Sequence, residues 1–147
     1  MRRIRVAAPQ PLRLLAEDAD DLAVISAALQ DAVTRIGDIR WEPLARRLTL
    51  AFNRFRWEAQ AGAGERVRTG LQLGGVLEVK GRHLRQGARD AVLELLALTF
   101  EPGESPGGLI IFAFAAGGDL AARVECIDAA LADLSAPWPT PRTPGHA

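Results

Sequence analysis

Residues 91–100 read Ala-Val-Leu-Glu-Leu-Leu-Ala-Leu-Thr-Phe, and the conformation of this stretch decides the fold. Its leucine and alanine content favours helix. Its length and the Pro-Gly-Glu-Ser-Pro-Gly turn at 102–107 favour a buried strand, which is the reading adopted here. Toward the C-terminus, Leu109 to Ala115 is a continuous apolar run, expected as a strand buried on both faces. Gly117-Gly118 marks a tight turn, and Leu120, Ala122 and Val124 then alternate with polar neighbours. From Cys126 the period becomes helical, with Ile127, Ala130, Leu131 and Leu134 on one stripe, which predicts a C-terminal helix.

Toward the N-terminus, Arg82 to Arg89 reads as a long basic loop and Val76 to Lys80 as a strand, with Gly74-Gly75 permitting a reversal or a bulge. Val67, Thr69, Leu71 and Leu73 alternate with Arg66, Arg68 and Gln72, behind a loose loop at 59–65. Ile39 and Trp41 face one way, as do Leu48, Leu50 and Phe52, which predicts a hairpin turning at 43–46. The alternation slips near Asn53, as a bulge or a strand end would make it. Leu22, Ile25, Leu29, Ala32, Val33 and Ile36 recur at helical spacing behind Asp18, Asp20 and Asp21. They predict an amphipathic helix of about 14 to 16 residues, ended by Gly37.

The expected fold is therefore α+β. An antiparallel sheet of about seven strands carries an N-terminal and a C-terminal helix, built as a pleckstrin-homology-like barrel or as a strongly curved sheet with both helices on one face. One domain is expected over residues 12–135, with flexible or extended tails at 1–11 and 136–147. The second tail holds Pro137, Pro139, Pro141 and Pro144, and Trp138 is placed to pin it to the body.

Composition narrows the function classes. The chain has 147 residues, 48% of them hydrophobic and 24% charged, enough to bury a core without a metal or a disulfide. Cys126 is the lone cysteine, so a disulfide framework is excluded. The longest apolar run is too short to span a bilayer. The basic start lacks a long apolar stretch behind it, and a cytoplasmic protein is expected. Eighteen basic and eighteen acidic residues cancel, yet the cations concentrate in the middle. Residues 38–89 hold ten arginines and Lys80 against five carboxylates, which suggests internal complementarity or one basic face.

Several segments carry a resemblance. They are Asp20-Asp21-Leu-Ala-Val-Ile-Ser-Ala-Ala-Leu-Gln-Asp-Ala-Val, Gly37-Asp38-Ile, Asn53-Arg-Phe-Arg-Trp-Glu, Gly107-Gly108 and Val124-Glu-Cys-Ile-Asp-Ala-Ala-Leu-Ala-Asp-Leu. Over residues 12–140 the chain resembles an uncharacterised bacterial family, domain of unknown function 2948. That resemblance implies a small cytoplasmic bacterial protein, with no catalytic residues to carry over.

Chemical motifs are sparse. Gly103-Glu-Ser-Pro-Gly107 has the spacing of a nucleophile elbow, but the residue after Ser105 is Pro106, which has no N–H for an oxyanion hole. His83 stands without a second ligand at metal spacing and reads as a solvated loop residue, so no metal site is expected. The three early aspartates read as helix caps. Cys126 reads as a buried small hydrophobe. The glycine pairs lack the residues of a phosphate loop, and no cofactor is expected.

One constellation remains. Arg40, Arg47, Arg54, Arg56 and Trp57, with Trp41, Arg66 and Arg68 nearby, interleave cations and aromatics as a surface for anions or single-stranded nucleic acid does. The pI near 6.7 is below that of typical nucleic-acid binders. The reading adopted is a non-enzymatic domain that binds a protein partner through a sheet edge or a groove beside a helix. Polyanion or single-stranded nucleic-acid binding is the alternative. A further alternative is an enzyme that joins arginine, His83 and a carboxylate such as Glu58 or Glu78.

Overall fold

A computed structural model describes residues 11–58 and 64–140. The chain opens with strand β1 (Arg13–Ala16) and helix α1 (Ala19–Ala28). Asp18 caps the helix, its carboxylate accepting the Asp21 N–H at 2.8 Å, and Asp20 and Asp21 meet the positive end of the helix dipole. Leu22, Ile25 and Leu29 turn inward, and α1 packs on β1 and on β7 (Val92–Pro102).

The helix is shorter than its spacing predicts. Asp31 takes a left-handed φ of 62°, and the chain passes into β2 (Val33–Arg35). Val33 and Thr34 are β-branched and favour a strand. The Thr34 hydroxyl donates to the Ala51 carbonyl at 2.7 Å, and the Leu95 N–H to the Ala32 carbonyl at 2.8 Å. Tertiary pairing thus overrides an apparent helical period.

A single 3₁₀ turn, Ile36–Asp38, leads to β3 (Ile39–Glu42). The hairpin of β3 with β4 (Arg47–Phe55) has the expected turn, and Leu50 lies opposite Ile39. No bulge occurs at Asn53: β4 pairs continuously from Leu48 to Phe55 with β5 (Glu65–Leu73). After β5, Gly75 at φ +61° sends the chain to the far edge of the sheet as β6 (Val76–Arg82). The decisive stretch is strand β7, paired with β8 (Gly108–Phe114) and followed by β9 (Asp119–Val124).

The predicted C-terminal helix is instead strand β10 (Ala129–Asp133), held between β1 and β5. Ala129 and Leu131 face the core while Leu134 is 63% exposed, a period of two rather than 3.6. Alanine favours helix, but the two flanking strands together satisfy the backbone groups of this segment, and that pairing wins. Cys126, just before it, is exposed rather than buried. Of the tails, residues 1–10 and 141–147 lie outside the described residues. Within the rest, β11 (Trp138–Pro139) adds two residues to β5.

The two-helix α+β expectation is therefore corrected. Among the described residues α1 is the sole α-helix, and eleven antiparallel strands form a sheet in the order β1-β10-β5-β4-β2-β7-β8-β9-β6, with β3 also on β4 and β11 also on β5. The sheet wraps one apolar core that includes Phe52, Leu71, Leu95, Phe112 and Phe114. Among the described residues it is not a closed barrel, because its path ends at β1 and β6, and β6 pairs with β9 alone. One backbone bond, from the Val76 N–H to the Arg46 carbonyl at 2.9 Å, joins the two flanks at one end.

Candidate functional site

The five residues of the predicted anion surface fall into two groups at opposite ends of β4. Arg47 and Arg54 are seven positions apart, about 23 Å along an extended strand. At the first end, Arg47 grips Glu42 with two bonds of 3.1 and 3.3 Å. That grip pulls the Glu42 carboxyl below its ordinary range and raises Arg47. Arg40 is exposed, with its Nε 3.7 Å from the same carboxylate.

At the other end, Arg54 has no exposed surface. Its Nε donates to Asp133 Oδ1 at 3.0 Å and to Thr69 Oγ1 at 3.1 Å. Its Nη2 donates to Asp133 Oδ2 at 2.9 Å and Glu58 Oε2 at 2.7 Å, and Nη1 donates to Glu58 Oε1 at 2.9 Å. Asp133 also accepts the Thr69 hydroxyl and the Leu12 N–H, each at 2.8 Å. Burial acts to raise the Asp133 carboxyl, but these donors outweigh it and hold the group below its ordinary range. Arg54 likewise lowers Glu58. Arg56 is nearly buried between Glu65 at 2.9 Å and Glu58 at 3.9 Å. Trp57 stacks edge-on to Phe55, ring centroids 4.7 Å apart, and its indole N–H donates to the Gln30 carbonyl. Thr69 and Asp133 complete a clamp that joins β4, β5, β10 and the segment before β1.

The residues of the enzyme alternative are dispersed. Glu58 belongs to the clamp, Glu78 is exposed on β6 beside Lys80 at 3.2 Å, and His83 follows β6 at φ 55°. Ser105 is exposed in the turn between β7 and β8. Among the described residues no three His, Cys, Asp or Glu side chains are placed to share a metal ion, and no helix is long and apolar enough to cross a membrane.

A different feature gathers residues from distant segments. Between the unpaired edges of β3 and β6 lies a groove of about 270 Å³. Its wall on one side is Ile36, Ile39 and Trp41, and on the other Val79, with Leu120 and Leu84 between. Residues 83–91 close one end, where the Gly37 N–H donates to the Arg89 carbonyl at 2.8 Å and the Ile36 N–H to Ala91 at 3.1 Å. Leu84 is seated over Gly81 and Gly118. A Cβ on Gly118 would stand 2.7 Å from the leucine methyl, so a larger residue there would displace Leu84.

The strand and loop on one side of the groove are rich in cations, of which Arg89 lines it. Residues 79–89 hold Lys80, Arg82, Arg85 and Arg89 and no carboxylate. Arg82 is engaged by Asp119 at 2.7 Å. Arg85 and Arg89 are exposed and form no ion pair among the described residues. The charge run was legible in the sequence as a loop. Its position beside Trp41, which reads as a core anchor, was not, because nothing local places residue 41 against residues 79–89.

The family described as "Protein of unknown function (DUF2948)" matches residues 12–146. The chain belongs to this family. No curated protein and no solved structure matches it. For this DUF2948 chain the groove and the clamp are therefore weighed on their own geometry. The clamp is closed on itself: Arg54 has both flanks filled by carboxylates, leaving no open face for a ligand. The groove has apolar walls, free backbone groups on both sides and unspent positive charge.

Proposed function

We propose that this DUF2948 chain is a non-enzymatic protein-binding domain that takes an extended segment of a partner between β3 and β6. The observation that carries the reading is the pair of strand edges, each bonded on one side only, that flank an apolar groove. Unpaired N–H and C=O groups along an edge are a template for an added strand, and pockets for alternate side chains supply selectivity. A segment lying there adds backbone bonds to one or both edges and covers Trp41 and Val79. The test is hydrogen exchange on the whole chain with a bound partner or selected peptide. Amides of β3 and β6 are expected to slow together; slowing confined to β1 or to α1 sinks the reading.

A second reading is favoured by the strand register. Alternation along β4 and β5 puts Arg47, Arg66 and Arg68 on the outer sheet face, and Arg40 shares that face opposite Thr49. Such a row supports polyanion binding, with Arg40 and Arg47 from the predicted set and Arg66 and Arg68 beside them. Retention of single-stranded RNA at low salt, lost when Arg40, Arg66 and Arg68 become glutamate, supports this reading; no retention at low salt removes it.

A further inference from the structure

We infer that the segment taken by the β3–β6 groove is acidic, with one bulky apolar side chain that enters between Trp41 and Val79 and carboxylates that meet Arg85 and Arg89. This assignment rests on the groove being a binding site at all, and adds to it the chemistry of the occupant. Charge decides between candidates. The four cations of residues 79–89 are flanked by Glu78 and Asp90; Arg82 is satisfied by Asp119 and Lys80 lies against Glu78. Arg89 lines the groove, and Arg85 is exposed on the same closing loop.

Two unpaired cations on the loop that closes a greasy slot repel a basic segment and gain from an acidic one, mainly through faster encounter and discrimination between partners. The chain's own N-terminal residues carry Arg2, Arg3 and Arg5, so like charge argues against them as the occupant. A second copy of the chain presents the same basic flank at this edge, which argues against pairing groove to groove. The volume of about 270 Å³ suits one large side chain with its backbone, not a folded partner. Backbone addition therefore supplies the frame, the apolar side chain the anchor, and the carboxylates the selectivity.

Random twelve-residue peptides displayed on phage and selected against the intact chain at low salt test this assignment. The selected sequences are expected to hold at least two Asp or Glu around a Phe, Leu or Ile. Synthetic copies are expected to bind at least about tenfold more weakly to Arg85→Glu/Arg89→Glu, to weaken with salt, and to bind Arg13→Glu as they bind the unaltered chain. Both exposed arginines sit outside the core, and circular dichroism of the double variant checks that it folds. Selected peptides that slow exchange in β3 and β6 but are neutral or basic overturn the acidic assignment and leave the groove reading standing. Peptides that bind elsewhere, or a library that yields none, overturn both.

Discussion

Arg54 is the residue on which four segments depend. With no exposed surface and two carboxylates around it, it resembles a buried ion pair in which removal of one partner strands a charge in a medium that solvates it poorly. Arg54→Ala is expected to cost about 3–5 kcal/mol in urea unfolding. Arg54→Met with Thr69→Val, Asp133→Leu and Glu58→Gln removes the charges together and is expected to recover most of that loss. Asp133 and Glu58 both have carboxyls held low in the folded chain. Their contribution is complete above the ordinary carboxylate range and is lost as pH falls below about 4 toward the folded values. The urea midpoint is expected to fall between pH 7 and pH 3, and more steeply in the unaltered chain than in Arg54→Met; equal slopes would count against the clamp. The sequence held the signal for this clamp. Arg54 shares the phase of Leu48, Leu50 and Phe52, Thr69 that of Leu71, and Asp133 that of Leu131. A polar residue at the end of three inward rows marks a buried network. An arginine is assumed to point outward, so the same phase reads as a slip in the strand.

Among the elements, β10 separates what pattern gives from what pairing gives. Ile127, Ala130, Leu131 and Leu134 satisfy a helical stripe, and their high alanine neighbourhood agrees. Only β1 and β5, more than fifty residues away in sequence, supply the ladders that make the segment a strand. The two conformations predict different costs. In a helix Leu131 and Leu134 share the buried stripe; in the strand Leu131 is buried and Leu134 is 63% exposed. Leu131→Ala is expected to lose about 2–5 kcal/mol, and Leu134→Ala less than about 1 kcal/mol. Two comparable losses would restore the helix. By contrast, the β3–β4 hairpin and strand β7 are legible locally, because alternation and the turns at 43–46 and 102–107 agree with the final pairing. Helix α1 is legible at its start, through Asp18, and misread at its end, where β-branched residues fall by chance at helical spacing.

At the scale of the whole molecule, segments far apart in sequence meet: Asp133 accepts from Leu12, 121 residues earlier. A chain ending before residue 126 would leave β1 and β5 with bare edges, and is expected to aggregate rather than fold, as judged by size-exclusion chromatography. The charge layout of the sequence, with a basic middle between acidic stretches, is largely spent internally, since Arg54 meets Asp133 and Arg82 meets Asp119. What remained illegible was where the surplus would gather, because that depends on β6 lying at the end of the sheet path and not beside β5.

The backbone ties at the two ends of the slot, Val76 to Arg46 at one and Gly37 to Arg89 at the other, have a mechanical consequence. Walls fastened at both extremities hold their spacing there and can bow apart only in between. A guest of the right girth would then stiffen the wrapper rather than reshape it.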